Sequence, residues 1–259
     1  VWGAVIAAGF AFIFNTLLGA GIFVLTGSEL IAQQTTGSLI APIIEEILKG
    51  MAVLIVFFFY RKEFDSILDG IVYSGITALG FAATENTYYI YQYGYVEGGY
   101  MGLFTLVFIR VILVGWQHPF YTSFFGIGLA AARLSPQQVR RLLFPLSGLV
   151  LSIGLHSVHN SIPGIIPGSA GFFIGTLFDW SGWFGLGLFI IYMIYHEKRL
   201  IQNELKEEVE MGIITIQQYQ SSYSNIERFK QLWKHLGKPT FGEISHFYQL
   251  CAELAHKKH

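Results

Sequence analysis

Long apolar stretches constrain this chain more than any other feature of its sequence. Hydrophobic residues make up 53% of the 259 residues and charged residues only 13%. Several stretches have about the 20 residues that a helix needs to cross a bilayer. They cover roughly residues 2–25, 39–60, 67–93, 101–132, 142–161 and 171–196. This composition indicates a polytopic membrane protein, and we predict an all-α fold, a transmembrane helix bundle with about six spans.

The loops between the stretches predict the orientation of the bundle. Basic residues occur in the loops 61–66, which includes Arg61 and Lys62, and 133–141, and again just after His196. The alternate loops contain no Lys or Arg; they are 26–38, 94–100 and 162–170. Under the positive-inside rule the basic loops are cytoplasmic, and so are both ends of the chain.

The fourth stretch, 101–132, is longer than one straight span needs. It can be tilted, kinked or split. Splitting it into two spans would break the alternation of basic and uncharged loops, so we count it as one span.

The chain divides into two regions near residue 196. Residues 1–196 contain the apolar stretches, and because they begin at Val1 inside one of them, we expect a further segment upstream. Residues 197–259 have mixed charge with many Gln and Ser residues, and we predict a cytoplasmic helical tail. Cys251 is the single cysteine and cannot form an intramolecular disulfide, so helix packing alone holds the fold.

Two capping-box patterns predict helices in the tail. Ser224 is followed three residues later by Glu227, and Thr240 by Glu243. In this pattern the first side chain caps the amino terminus of a helix and the second bonds back to it. We therefore predict a helical hairpin at about 225–256.

Ionisable residues occur in the middle of the apolar stretches, where charge is costly and therefore indicates function. They are Glu45, Glu46, Glu85, His118 and His156. Counting about 1.5 Å per helical residue from the cytoplasmic end of each stretch places four of them at one level in the outer half of the bilayer. These four are Glu45, Glu85, His118 and His156. Residues from four helices at one depth are what a shared site requires.

Four motifs around these residues follow one another on successive predicted helices. They are EExxK at 45–49, FxxxEN at 81–86, HPFYTSFFG from His118, and HxxxN at 156–160. In this order they resemble the PrsW family of intramembrane proteases, which belongs to the wider clan of CAAX prenyl proteases and bacteriocin-processing enzymes. The resemblance covers about residues 39–165.

The resemblance implies a membrane-embedded endopeptidase in which a glutamate activates water against a peptide bond. By position, the general base is Glu45 or Glu46, and the site is completed by Glu85, His118, His156 and Asn160. The wider clan commonly has a histidine at the position of Glu85, so that histidine's role does not transfer to this chain.

Two further residues are predicted to support the site. Lys49, one helical turn after Glu45, can hold one glutamate ionised. Asn86 can orient Glu85. Asn160 shares a helix face with His156, and either Asn160 or an imidazolium can stabilise the oxyanion of a tetrahedral intermediate.

A zinc mechanism remains open, because His118, His156 and Glu45 also form a ligand set with room for a water molecule. We favour glutamate chemistry without a metal. The reason is that Asn160, a poor zinc ligand, occupies the inward face of the helix beside His156. His159 could still serve as a second ligand on that helix.

Other classes of function explain the chain less well. The net charge is −1 and the basic residues are dispersed, which excludes nucleic acid as a partner. A proton-coupled or cation-coupled transporter would also bury acids and histidines, but no inverted repeat is visible. A purely structural role, in which Lys49 or Arg110 pairs with the glutamates and pins helices together, is costly inside a membrane.

The predicted setting is a prokaryotic plasma membrane, with the lipid bilayer as one partner. The substrate is expected to be another membrane protein or peptide, cut within or near the membrane. By resemblance, a single-span regulator such as an anti-sigma factor is a candidate. The tail is expected to recruit a partner, regulate activity or stabilise a homodimer.

Overall fold

A computed structural model describes residues 1–60 and 64–258. Within these residues helices are the only regular secondary structure, which confirms the predicted all-α bundle. Two compact units are present, one over Val1–Gly187 and one from Leu188 onwards. The predicted division at residue 196 stays a prediction. Arg61 and Lys62, from the predicted basic loop, lie outside the described residues.

The first unit contains the helices that carry the predicted site. Together with their neighbours in this unit they are α1 (Ala8–Thr26), α2 (Glu29–Thr35), α3 (Ala41–Phe59), α4 (Ile67–Tyr89), α5 (Glu97–Val107), α6 (Gln117–Leu134) and α7 (Gln138–Ile165). Helix α8 (Ser169–Glu204) begins in the first unit and ends in the second. Wider π-helical turns extend several of them, at Trp2–Ala7, Thr36–Ile40, Ile90–Val96 and Phe108–Leu113.

Four helical stretches of the described chain are long and apolar enough to cross a membrane. They are Trp2–Thr26, Ile67–Leu134, Gln138–Ile165 and Ser169–Glu204. Helix α3 is of membrane length but carries Glu45, Glu46 and Lys49 in its interior. The protein is therefore an integral membrane protein, while the count of six spans stays a prediction.

The stretch Ile67–Leu134 is not one straight helix. Gly99 has a left-handed backbone with φ +59°, which glycine adopts without strain, and the chain turns there. A second interruption at Val114 divides the fourth predicted stretch, so α6 begins afresh at Gln117. His118 and Pro119 thus lie in the first turn of α6, where the missing N–H of proline costs no helical hydrogen bond.

Glycines allow α6 to pack closely between α4 and α7. The backbones of Gly70 on α4 and Gly126 on α6 approach so closely that a Cβ on either would collide with the other's carbonyl group. Gly128 and Gly148 make similar approaches between α6 and α7. Small residues at such crossings let membrane helices gain van der Waals contact. This packing sets the distance between the helices that hold the site.

After α8, the described residues of the second unit form three short helices and one longer one. They are α9 (Lys206–Glu210), α10 (Ile216–Tyr223), α11 (Asn225–His235) and α12 (Phe241–Lys258). Ser224 accepts a hydrogen bond from the Glu227 amide at the start of α11, as its capping pattern predicts, and α12 begins directly after Thr240. Cys251 packs in a core with Leu205 and Ala255, and burial raises the pKa of its thiol to about 11. The cytoplasmic location of this unit stays a prediction.

The close approach of α4 and α6 predicts that Gly70→Ala destabilises the bundle. The added methyl group would force the helices apart, at a cost of about 1–3 kcal/mol in the free energy of unfolding. The measurement is the thermal unfolding midpoint of the purified protein in detergent. Gly75→Ala on the same helix is the matched control, because its Cβ would meet no atom within 4 Å. Equal midpoints for the two variants would contradict the packing described.

Candidate active site

Four helices of the first unit bring polar side chains to one cluster. Its members are Glu45, Glu46 and Lys49 from α3, Glu85 from α4, His118 from α6 and His156 from α7. On α3 the three residues share one face, because positions three and four apart are neighbours on a helix. The structure thus brings together the residues that the sequence analysis placed at one depth. Their catalytic roles stay predictions.

Lys49 lies at the centre of the cluster and is completely buried. Its Nζ donates to Glu46 Oε1 at 2.8 Å and lies 3.6 Å from Glu45 Oε2. The same atom is 3.0 Å from His118 Nδ1 and 4.2 Å from the centre of the Phe81 ring. These partners are necessary, because an unpaired charge in a low-dielectric interior is strongly destabilising.

Glu46 has both of its carboxylate oxygens engaged. Oε1 accepts from Lys49 and also from His156 Nδ1, which is 2.9 Å away. Oε2 accepts from the Thr122 hydroxyl at 2.8 Å. Since three donors from three helices hold it, this side chain has a fixed orientation and little freedom to react.

Glu45 differs from Glu46 in having one carboxylate oxygen without a hydrogen bond. Its Oε2 is buried and has no hydrogen-bond partner. This atom faces His156 Nε2 at 3.9 Å, while Oε1 lies 3.5 Å from Asn15 Nδ2 on α1. Because His156 donates from Nδ1 to Glu46, its Nε2 is an acceptor in the neutral ring. Two acceptors therefore face each other across 3.9 Å.

Glu85 joins the cluster through His118. Its Oε2 accepts from His118 Nε2 and from Arg110 Nη2, each at 2.9 Å. Arg110 Nε in turn donates to Asn86 Oδ1 at 2.8 Å, and Asn86 Nδ2 donates to the Arg110 carbonyl oxygen. Asn86 thus bonds to Arg110, and Arg110 bonds to Glu85. The two bonds between Asn86 and Arg110 orient the guanidinium group towards Glu85.

Three carboxylates in this cluster face two basic side chains. Glu45, Glu46 and Glu85 pair with Lys49 and Arg110. With both histidines neutral, one negative charge has no counter-charge. In a low-dielectric interior such an excess favours uptake of a proton or a cation. The cluster therefore suits proton transfer or the binding of a metal ion.

Three residues of the cluster form a donor set that fits a metal ion. One ligand atom each from Glu45, His118 and His156 lies within 4.8 Å of the other two. The bond from His156 Nδ1 to Glu46 is typical of metal-ligating histidines, whose second nitrogen is held by a carboxylate. Both ring nitrogens of His118 already have partners, so His118 would give up one of these to bind a metal.

A second polar cluster, which none of the four motifs predicted, lies beside the first. Asp179 on α8 is only 1% exposed and accepts from the Tyr121 hydroxyl at 2.6 Å and from Gln117 Nε2 at 2.5 Å. His159 Nδ1 lies 3.1 Å from the same carboxylate. The Tyr121 ring stacks on His156 with centres 5.0 Å apart. An acid inside the apolar stretch 171–196 was the signal that could have revealed this cluster.

Asn160 lies outside the glutamate cluster. The side-chain Nδ2 of Asn160 donates to the Gly37 carbonyl oxygen at 2.9 Å. The backbone carbonyl oxygen of Asn160 accepts from the Ser38 hydroxyl. Asn160 therefore ties α7 to the π-helical turn Thr36–Ile40. His159, the alternative zinc ligand, contacts Asp179 instead of the cluster.

A cavity of about 1020 Å³ opens on one side of the cluster. Its walls come from α1, α2, α3, α4 and the π-helical turns between them, with Glu45 and Glu85 among the lining residues. Many lining residues are small, which leaves room for a ligand backbone. Asn15 and Thr36 are among the polar residues of these walls.

Membrane-length helices around a cluster of glutamates, histidines and lysine define an integral membrane protein with a polar centre suited to catalysis. Residues 1–196 match the family described as PrsW family intramembrane metalloprotease. The chain belongs to this family, which confirms the resemblance carried by the four motifs.

Two curated relatives carry the name Protease PrsW. The protein of Geobacillus kaustophilus (strain HTA426) is 30% identical over 155 residues, which cover 58% of this chain and 63% of the relative. The protein of Bacillus subtilis (strain 168) is 29% identical over 153 residues, covering 55% of this chain and 60% of the relative. The chain thus spans less than two thirds of the length of either. No solved structure matches the chain.

The position of Lys49 predicts that Lys49→Met strongly destabilises the protein. The substitution leaves the buried glutamates without their central cation, at a cost of about 3–5 kcal/mol in the free energy of unfolding. The measurement is thermal unfolding in detergent, with Lys206→Met in the second unit as the control. Adding Glu46→Gln to Lys49→Met should recover part of the loss, because it removes one unpaired charge. A double variant as unstable as the sum of the two single variants would contradict this account.

Proposed function

We propose that the chain is an intramembrane peptidase in which Glu45 activates a water molecule for attack on a peptide bond. Membership of the PrsW family supports the peptidase. The observation that carries the assignment is the unpartnered Glu45 Oε2, which faces His156 Nε2 at 3.9 Å. Two buried acceptors at this separation suit a water molecule that donates to both.

The proposed reaction consumes one water molecule for each bond cut. Glu45 takes a proton from the water as the water oxygen bonds to the substrate carbonyl carbon. The tetrahedral intermediate collapses when its C–N bond breaks, and Glu45 returns the proton to the leaving nitrogen. Lys49, whose Nζ is 3.6 Å from Glu45 Oε2, stabilises the ionised carboxylate and the negative charge that develops nearby.

Glu46 is proposed to orient the site and not to act as the base. Its oxygens accept from Lys49, His156 and Thr122, so a water molecule would have to displace one of these donors. Through its bond to His156 Nδ1 it keeps Nε2 of that ring available as an acceptor. This assignment separates the roles of two adjacent glutamates that the EExxK motif leaves equivalent.

Glu85 and His118 are proposed to hold the opposite side of the site. Glu85 lines the cavity and accepts from both His118 and Arg110. His118 accepts from Lys49 at Nδ1 and donates from Nε2 to Glu85, so it links Lys49 to Glu85. Together they keep Lys49 beside Glu45, where its charge is needed.

A zinc-dependent form of the same peptidase is the second candidate, favoured by the donor set of Glu45, His118 and His156. A metal ion held by these residues would polarise a water molecule and the substrate carbonyl group. We favour the metal-free form, because the Lys49 ammonium already lies 3.6 Å from Glu45 Oε2 and 3.0 Å from His118 Nδ1. A divalent cation there would lie close to this ammonium group, whose repulsion offsets part of the attraction from the excess negative charge of the cluster.

The proposed substrate is a membrane protein or peptide whose chain enters the cavity beside Glu45. Entry between membrane helices fits a single-span partner, and an anti-sigma-factor-like regulator remains our candidate. We further propose that the second unit is cytoplasmic and either recruits or regulates, or joins two copies of the chain.

Replacement of the two adjacent glutamates should have different consequences. Glu45→Gln should lower peptidase activity by about 10²–10⁴-fold, the usual contribution of a general base, with little change in thermal midpoint. Glu46→Gln should lower the thermal midpoint, because the buried Lys49 ammonium loses a negatively charged partner and the amide has only one acceptor oxygen for the three donors around Glu46. The measurements are cleavage of synthetic single-span peptides in proteoliposomes and thermal unfolding in detergent.

Glu97→Gln, an exposed glutamate at the start of α5, is the matched control for both variants. It should leave cleavage and stability unchanged. Full activity in Glu45→Gln would rule out Glu45 as the base. Ion flux that depends on Glu45, in liposomes where no peptide is cleaved, would favour the transporter.

Metal dependence has its own test in the elemental content of the purified protein. We expect activity to persist in the presence of a chelator and zinc to be well below one atom per chain. The comparison is between His156→Ala, which alters the cluster, and His246→Ala, which alters an exposed tail residue. Near-stoichiometric zinc that is lost together with activity in His156→Ala alone would establish the metal-dependent form.

A further inference from the structure

The cavity beside Glu45 is lined by three side chains that each hold an unpartnered, buried polar atom. These atoms are Asn15 Oδ1, Thr36 Oγ1 and Glu45 Oε2. Buried polar atoms in proteins are nearly always hydrogen-bonded, so three exceptions in one cavity call for an explanation. Glu45 is accounted for by the proposed reaction, whereas Asn15 and Thr36 are not.

Contacts with neighbouring elements hold the Asn15 and Thr36 side chains in place. Asn15 lies in the middle of α1, with its Nδ2 at 3.5 Å from Glu45 Oε1 and its Oδ1 left over. Thr36 opens the π-helical turn Thr36–Ile40, which Asn160 holds through the Gly37 carbonyl oxygen. Gly19 on α1 lets this turn approach, since a Cβ there would lie 3.0 Å from Thr36 Oγ1. The Asn15 amide and the Thr36 hydroxyl are thus held in position before a ligand binds, and neither is hydrogen-bonded to the other.

The chemistry of these groups identifies what they bind. Asn15 Oδ1 can only accept a hydrogen bond, and the Thr36 hydroxyl can both accept and donate. A transmembrane helix has no backbone N–H to offer in its interior, because each one bonds to a carbonyl group four residues earlier. An unwound stretch of peptide offers both N–H and C=O groups at regular spacing. A peptide bond must also be freed from its helix before water can attack it.

We infer that Asn15 and Thr36 bind the backbone of an unwound stretch of the substrate next to the bond that is cut. The inference rests on the proposed function and adds the conformation of the substrate and the residues that select it. At about 1020 Å³, the cavity exceeds most small-molecule pockets, which hold about 300–1,000 Å³. Small wall residues such as Ala8, Ala11 and Ala41 leave that space for main chain.

The test removes single backbone N–H groups from the substrate. Synthetic peptides with one apolar core of about 20 residues are first screened for cleavage by the wild-type protein in proteoliposomes. In the peptide that is cut, each amide near the scissile bond, but not the scissile bond itself, is replaced in turn by an ester, which lacks the N–H. Every peptide is then assayed with wild type, Asn15→Leu, Thr36→Val and the control Thr87→Val, whose hydroxyl bonds within its own helix.

At one ester position we expect kcat/KM of the wild type to fall by about tenfold, the effect of one hydrogen bond. In Asn15→Leu that same ester should cost less than about twofold, because its partner has already been removed. Thr36→Val should show the same coupling at a different position, and Thr87→Val should behave as wild type. This coupling would not arise if Asn15 and Thr36 only stabilised the fold.

The outcomes separate this inference from the proposed function. Cleavage by the wild type, with ester effects that are equal in all four proteins, would overturn the inference and leave the peptidase intact. Absence of cleavage of every peptide would contradict the proposed function, and the inference with it. If Asn15→Leu impairs folding, its thermal midpoint will be lowered. Asn15→Ala then replaces Asn15→Leu in the same comparison.

Discussion

The buried ammonium group of Lys49 is the interaction on which the rest of the site depends. It contacts Glu46 at 2.8 Å, lies 3.6 Å from Glu45 and reaches His118 on another helix. Without such a cation, adjacent glutamates could not remain in the interior of a membrane bundle, because burial penalises their charged forms. Helices α4 and α6 contact this charge through Phe81 and His118, and α7 joins the cluster through the bond from His156 to Glu46. The glycine contacts of α6 supply the close packing that this arrangement requires.

Hydrogen bonding divides the work between the two adjacent glutamates. Glu46 accepts from three donors and is fixed, whereas Glu45 keeps one buried oxygen without a hydrogen bond beside the cavity. The difference arises from their 100° separation around α3, which turns Glu46 towards α6 and α7 and Glu45 towards α1 and the cavity. Of the two adjacent glutamates in the motif, Glu46 is therefore the positioning group and Glu45 carries the reactive oxygen.

Much of the fold and of the central cluster could be predicted from sequence, because both follow from periodicity and depth. Apolar length indicated the helices, and counting along them brought Glu45, Glu85, His118 and His156 to one level. Side-chain direction was less accessible: Asn160 shares a helical face with His156, yet its amide bonds to the turn before α3. The position of the interruption at Val114 was not predicted, although Gly115 and Pro119, residues that commonly mark a break in a helix, follow it closely. Asn15 and Asp179 were visible as polar residues in apolar segments, but their partners lie on other helices.

The most direct test of the central claim is to locate the bond that the purified chain cuts. Mass spectrometry of single-span peptides incubated with the protein in proteoliposomes would identify both product ends. We predict hydrolysis at one position, within or close to the apolar core, that disappears when Glu45 and Glu46 are both replaced by Gln. A cut that survives this double replacement, or no cut in any peptide, would contradict it.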